Sequence, residues 1–300
     1  MEHSEKTPGV SWRELKTIHE PFEKHDRKFE TNRYIYPVIS RRSRGVSIGV
    51  NLNPDKRCNF NCVYCQIDRT QPGSTEPVDL ELLQAELEDL VRWTVSGDIF
   101  KHPWFEKTPV LYRRFNDIAL SGEGEPTLSP VFPEAVEICA DVRKRLADDD
   151  VKLVLITNAT TLHVPKVRDA VRLLHQNNGE IWAKLEAGTE PYYQHVLRSN
   201  VPFQQVLDNL KDAACRHPIV IQTLMLRTND EEPSPREVDA YCDRLNEIVA
   251  AGGTIKAIQL HTVARPPAEK WVGALADVRL DAIALRIEAR TNLPIEVYYG

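Results

Sequence analysis

Six short β-branched or apolar runs, separated by segments of helical period, limit what this chain can fold into more than any other feature. The runs are Val46–Asn51, Asp117–Ser121, Lys152–Thr157, Ile181–Ala187, Ile219–Leu226 and Ile255–Thr262. Between them apolar side chains recur at helical spacing, as in Leu80, Leu83, Leu87 and Leu90, or Phe203, Val206, Leu207 and Leu210. Val238, Tyr241, Leu245 and Ile248 make a further stripe. Leu280, Ile283 and Ile287 fit a last helix, and Ile295–Tyr299 an extra strand. Strands alternating with helices predict an α/β fold around a parallel sheet, whose crossovers are right-handed. Several runs are apolar almost throughout, which predicts burial on both faces.

The chain has 300 residues, enough for one large core, and shows no internal repeat or low-complexity linker. Residues 45–300 therefore read as one domain behind an N-terminal extension, residues 1–44, which is polar and has no sustained period. The segment from Gly97 to Asn116, with His102, Pro103, Trp104 and Phe105, delays the second strand and reads as an insertion over one edge or the mouth of the sheet. The first residues lack the apolar stretch of a secretory signal, and no apolar run approaches the roughly 18–20 residues of a membrane span. The expected location is the cytoplasm. A formal net charge of −6 disfavours indiscriminate binding to nucleic acid. Arg41, Arg42 and Arg44 form a local basic group, either solvated and structurally paired or an anion clamp for a substrate or cofactor.

Six cysteines are too few for a disulfide scaffold, and three of them fall in Cys58-Asn-Phe-Asn-Cys62-Val-Tyr-Cys65. A closed structural zinc site wants four ligands, and no fourth Cys or His lies nearby. Three thiolates on a [4Fe–4S] cluster would leave one iron open to an exogenous ligand. Fortuitous cysteines, or a zinc site completed by a distant His, are the alternatives. Cys139 and Cys242 continue apolar helical stripes and Cys215 ends a helix, so these three read as bystanders.

Other polar residues cluster where strands end. The second run closes on Ser121-Gly-Glu-Gly-Glu-Pro-Thr-Leu128, where Gly122 and Gly124 would let the backbone approach a ligand. The third ends in Thr157-Asn158, a cap or a contact. In the fourth, alternation puts Trp182, Lys184 and Glu186 on one side, the charges either paired with each other or used on a ligand. Gln222, Gln259 and His261 face inward on the last two runs, lining a cavity or forming a satisfied network. The loop from Thr262 to Pro267 carries Arg265, an anion contact or a surface residue.

The cysteine spacing, with Tyr64 in its aromatic position, resembles the signature of the radical S-adenosylmethionine (radical SAM) superfamily. Gly124-Glu125-Pro126, Thr157-Asn158 and the charged fourth run follow in that family's order over residues 45–262. The resemblance implies a partial (βα)6 TIM-type barrel with its site at the carboxyl ends of the strands. It implies that Cys58, Cys62 and Cys65 hold a [4Fe–4S] cluster whose open iron binds S-adenosylmethionine. Tyr64 would lie near the adenine, Glu125 would receive the methionine ammonium, and Asn158 would reach cofactor or substrate. Lys184 and Glu186 would contact the ribose or the methionine carboxylate. One electron, by analogy from a flavodoxin or ferredoxin, would release a 5′-deoxyadenosyl radical that takes hydrogen from a substrate. More narrowly, Ser40–Arg44, Gly49–Pro54, Ser121–Leu128 and Val263–Glu269 look like the wyosine-synthase-related subgroup, which holds a tRNA-modifying enzyme beside bacterial proteins of undefined substrate. The substrate is then a small molecule or an RNA. A glycyl-radical-enzyme activase and a non-enzymatic, metal-stabilised binding module are the rival expectations.

Overall fold

Strand pairing organises the computed structural model, which describes residues 29–265, 267 and 269–300. One sheet contains β1 (Ile35–Ser40), β2 (Gly45–Val50), β3 (Phe115–Leu120), β4 (Lys152–Thr157), β5 (Gly179–Lys184), β6 (Ile219–Leu224), β8 (Ile255–His261) and β10 (Ile295–Tyr298), in that spatial order. From β2 to β10 every neighbouring pair is parallel; β1 alone runs antiparallel, on the edge beside β2. The crossovers carry α1 (Leu80–Val95), α2 (Phe132–Leu146), α3 (Pro165–Gln176), α4 (Glu190–Leu197), α5 (Phe203–Arg216), α6 (Pro235–Ala250) and α7 (Asp277–Thr291). A small antiparallel pair, β7 (Leu226–Thr228) with β9 (Val272–Ala274), lies apart from the main sheet. The sheet is curled into a half-barrel, the partial TIM-type barrel that the strand–helix alternation and the family resemblance together predict.

The two faces of the sheet carry different packing. Ile118, Leu155, Ile181, Ile221, Ile258 and Leu260 belong to the core shared with the helices, whereas Ala119, Val154, Trp182 and Val220 form a separate cluster on the inner face. This is why the runs read as apolar on both sides. Each helix buries the stripe its period marks out: α1 buries Leu83, Leu87, Leu90 and Val91, and Asp79 caps it by accepting from the amides of Glu81 and Leu82. Cys139 and Cys242 sit fully buried in α2 and α6, and Cys215 is exposed near the end of α5.

Several boundaries differ from the sequence reading. Ile35–Ser40, placed in the N-terminal extension, joins the sheet as β1; Pro37 is tolerated there because an edge strand leaves one side unpaired. Glu86 of α1 holds the start of this strand, accepting from the amides of Arg33, Tyr34 and Ile35. The extension up to residue 28 lies outside the described residues. The fourth run shifts to Gly179–Lys184, so Leu185–Ala187 continue past the strand, although the Leu185 amide still donates to the Gln222 carbonyl. The 97–116 segment makes short 3-10 turns at Asp98–Lys101 and Val110–Tyr112. It joins the end of α1 to the start of β3, and His102, Trp104 and Phe105 pack around Phe29. It therefore lies at the amino end of the sheet, opposite the carboxyl-end loops. Among the described residues, no helix is long and apolar enough to cross a membrane.

Candidate active site

The inward side chains and the carboxyl-end loops enclose one cavity of about 320 Å³. Cys58, Cys62 and Cys65 line it, as do Tyr64, Gly122, Gly124, Glu125, Asn158 and Lys184. Glu186, just beyond β5, reaches the same place by accepting a hydrogen bond from the Tyr64 hydroxyl. All the residues proposed from the sequence thus converge on the carboxyl ends of β2 to β5.

The cysteine loop is held from three sides. The amides of Asn61 and Val63 donate to the carbonyls of Leu197 and Val196, each at 2.9 Å, using acceptors that the end of α4 leaves without helical partners. Ser199 donates to the Asn59 carbonyl at 2.9 Å, and Asn59 donates to the Thr160 hydroxyl at 2.8 Å. On the third side the Glu125 amide donates to the Arg57 carbonyl at 3.1 Å. That contact requires glycine at 124, since a Cβ there would stand 2.0 Å from the same carbonyl oxygen.

N–H donors surround the sulfurs. The Phe60 amide is 3.5 Å from Cys58 Sγ, Asn158 Nδ2 is 3.9 Å from Cys58 Sγ, and Arg69 Nη2 is 3.9 Å from Cys65 Sγ. Burial pushes the Cys62 thiol up to about 12, with Glu186 adding to the effect and Lys184 opposing it. A buried thiol of this kind ionises when a metal displaces its proton. Among the described residues no group of three His, Cys, Asp or Glu is placed to hold a single metal ion. Three thiols on one pinned loop, with a guanidinium and two amide groups facing the sulfurs, are a donor set that suits a thiolate-bound cluster.

Lys184 and Glu186 are not paired directly. Tyr64 stands between them, donating to Glu186 while Lys184 Nζ lies 3.4 Å from its oxygen and 5.3 Å from its ring centroid. Burial raises the Glu186 carboxyl, and Lys184 offsets part of that rise. Burial works against the Lys184 ammonium, but Glu186 and the cysteines together hold it above its ordinary value.

Glu125 has two tasks to divide between its oxygens. Oε1 accepts from the Thr127 amide at 3.3 Å and from the Thr127 and Thr157 hydroxyls, each at 2.6 Å. Oε2 accepts only from the Asn158 amide, at 2.7 Å. A carboxylate offers about four acceptor positions, two on each oxygen, so Oε1 is saturated and Oε2 keeps one. Burial raises this carboxyl and the four donors work the other way. Asn158 in turn donates to Asn59 at 2.8 Å and accepts from the Thr160 amide and hydroxyl, tying the end of β4 to the cysteine loop. Glu123 is held by Asn51, which donates to its carboxylate at 3.0 Å and accepts from its amide at 3.1 Å.

At the other side of the cavity, Gln222 donates to Gln259 at 2.9 Å, the satisfied network that was one of the two readings for that pair. His261 lines the cavity with Nδ1 at 3.1 Å from the Gln259 carbonyl; burial, then Arg42, pushes its pKa down to about 3, so the ring is neutral. Arg41 and Arg42 also line the cavity, as does Arg265, whereas Arg44 turns the β1–β2 hairpin at φ 61 and is not part of the lining. Pro266, in the loop behind Arg265, lies outside the described residues.

Sequence reasoning missed Asn51, Arg69 and Asp117. Asn51 and Asp117 are polar residues in or just after inward-facing strand positions, a signal available in principle; Arg69 is placed only by the fold of its loop. Asp117 is 2% exposed, and burial raises its carboxyl to about 6 against the help of Ser47. A carboxyl raised on folding binds its proton more tightly in the native state, so its contribution favours folding at low pH and is lost as pH rises through about 6. Asp117→Asn should therefore flatten the stability change between about pH 4 and pH 7. It should gain on the order of 2–3 kcal/mol at pH 7 relative to its effect at pH 4, a check made by urea unfolding at both values.

Comparisons with known proteins agree with this geometry. The family model described as the radical SAM superfamily matches residues 52–234. A protein named GTPase Obg from Brachyspira hyodysenteriae is 22% identical over 274 residues, covering 90% of this chain and 35% of that protein. A UPF0026 protein of Helicobacter pylori is 25% identical over 246 residues, 78% of this chain and 67% of its own length. A UPF0026 protein of Methanocaldococcus jannaschii is 25% identical over 243 residues, 79% of this chain and 65% of its own. The chain thus spans between about a third and two thirds of the length of these relatives. Among solved structures, TYW1 with a lysine–pyruvate adduct bound aligns at TM-score 0.52 and 14% identity over 91% of this chain and 81% of that one. Streptococcus suis SuiB bound to S-adenosylmethionine aligns at TM-score 0.55 and 12% identity over 87% and 52%. Identities this low show a shared fold.

Proposed function

The chain belongs to the radical SAM superfamily, and from that membership we propose that Cys58, Cys62 and Cys65 hold one [4Fe–4S] cluster used to cleave S-adenosylmethionine reductively. The observation that carries the reading is the convergence of three thiols, Glu125, Asn158, Lys184 and Glu186 on one cavity at the carboxyl ends of parallel strands. When bound, the cluster supplies one electron that splits the sulfonium into methionine and a 5′-deoxyadenosyl radical, which takes hydrogen from the substrate.

The residues of the chain bind and orient. Arg69 and the amides of Phe60 and Asn158 offset the negative charge of the ligating thiolates. Glu125 Oε2 has one acceptor position left for the methionine ammonium, and the Lys184 ammonium suits the methionine carboxylate. Glu186 and Tyr64, joined by a hydrogen bond, would contact the adenosine. The catalytic unit is residues 45–300 with β1 as an added edge strand. The cytoplasm, a reducing compartment with flavodoxins and ferredoxins as donors, keeps three such thiols free.

Anaerobic reconstitution with iron and sulfide tests the proposal. The expected result is about four iron and four sulfide per chain, with 5′-deoxyadenosine released on reduction in the presence of S-adenosylmethionine. Stoichiometric zinc with no such release would overturn it and favour a metal-stabilised binding module.

A further inference from the structure

Opposite the cysteine loop, the cavity is lined by the β1–β2 hairpin and by inward positions of β3, β8 and β10. Most of the polar groups there already have partners. Arg41 donates to the Tyr299 carbonyl at 2.7 Å, the Tyr298 hydroxyl donates to Glu296 at 2.6 Å, and His261 is engaged through Nδ1. Three groups are left over, Arg42, Asp117 Oδ2 and the Ser43 hydroxyl. Among the described residues, none hydrogen-bonds or pairs with the Arg42 guanidinium, although burial works against its charge. Asp117 accepts from Ser47 through Oδ1, while its buried Oδ2 and the buried Ser43 hydroxyl, which also helps hold the Asp117 charge, both lack a well-formed hydrogen bond.

We propose that this half of the cavity is a substrate subsite, in which Arg42 grips an oxyanion and Asp117 Oδ2 accepts a hydrogen bond from a neighbouring donor on the same small molecule. The proposal rests on the S-adenosylmethionine-cleaving reading for the reaction, but the subsite itself is built by strands and needs no cluster. A half-buried arginine that lines a cavity without a paired carboxylate suits an anion, and a buried carboxylate oxygen without a full set of donors is costly. Arg42 and Asp117 interact electrostatically and line the same cavity, so one molecule bound there would meet both. A planar guanidinium presents paired donors that match a carboxylate or a phosphate equally well. The donor beside the oxyanion is an amine or hydroxyl, as in an amino acid, a hydroxy acid or a phosphorylated amine. His261 adds selectivity: a carbonyl can only accept, so Nδ1 carries the ring proton and Nε2 presents a lone pair to the same molecule.

The test is titration of the full chain, without and with reconstituted cluster, with acetate, inorganic phosphate and glycine, followed by isothermal titration calorimetry. Iron content and 5′-deoxyadenosine release are measured on the same preparations. Wild type is expected to bind glycine and at least one of the two anions. Arg42→Ala should weaken every probe by roughly tenfold or more, the value of a charge-assisted pair. Arg42→Lys, which keeps the charge and loses the fork, should fall between the two. Asp117→Asn should weaken glycine and spare acetate. Preference for phosphate over acetate, or the reverse, identifies the oxyanion and supports the subsite either way. Absence of binding in wild type, or binding by a folded Arg42→Ala within twofold of it, overturns the subsite whatever the cleavage assay shows. Loss of iron and of 5′-deoxyadenosine with binding intact overturns the cleavage reading alone.

Discussion

Replacing Cys62 with alanine is expected to abolish both iron binding and 5′-deoxyadenosine formation. Two thiolates cannot hold a cluster that three support, and among the described residues the other cysteines do not line the cavity: Cys139 and Cys242 are buried in helices and Cys215 is exposed near the end of α5. The loss should be complete within the sensitivity of the assay, and Cys58→Ala and Cys65→Ala should behave alike. Cys215→Ser serves as the control, since its thiol donates only to the Ala251 carbonyl; it should keep full iron content and turnover. Fold is not at issue in these variants, because the loop is pinned by backbone and hydroxyl contacts to α4 and β4 rather than by its thiols. Iron analysis and product chromatography read the result. A Cys62→Ala protein that still carries iron would show the ligands to have been wrongly assigned.

The second large effect is expected at Glu125, on stability as well as on chemistry. Its carboxylate accepts from the Thr127 amide, two threonine hydroxyls and the Asn158 amide, all buried. Glu125→Ala removes every acceptor at once. The hydroxyls can rotate toward other acceptors, but the two amides cannot, and a buried donor left without a partner costs about 1–3 kcal/mol. A loss of about 3 kcal/mol or more is therefore expected, seen as a lower urea midpoint. Glu125→Gln keeps the size and one oxygen, but its amide must face either the Oε1 donors or the Asn158 N–H. It should cost about 1–2 kcal/mol. The Gln variant also separates the two tasks of this residue. If Oε2 takes the methionine ammonium, the S-adenosylmethionine concentration for half-maximal cleavage should rise roughly tenfold or more. An unchanged value would leave Glu125 as a clamp between β3 and β4 and move the ammonium elsewhere.

The Glu125 clamp illustrates what was legible in the sequence and what was not. Gly124-Glu125-Pro126 and Thr157-Asn158 could be recognised from local pattern alone, and both fall at the cavity. That one side chain would bind the other segment through its backbone could not, because the two are 33 positions apart. The same holds for β1. Its six residues contain a proline and no strict alternation, and its start is set by Glu86 from a helix about fifty positions later. The basic group at 41–44 looked uniform, yet Arg41 and Arg42 line the cavity while Arg44 spends its conformation on the hairpin turn.

Periodicity and spacing, both carried by neighbours along the chain, determined the parallel α/β architecture, the three-cysteine loop and the order of the carboxyl-end motifs. Local sequence is enough for these because backbone sterics and apolar patterning act over a few residues. Only the tertiary structure decided that Tyr64 separates Lys184 from Glu186, that Arg69 faces the sulfurs, and that Arg42 and Asp117 line one cavity. Charge and hydrogen bonding act through space, so their outcome depends on which distant segments the curled sheet brings together.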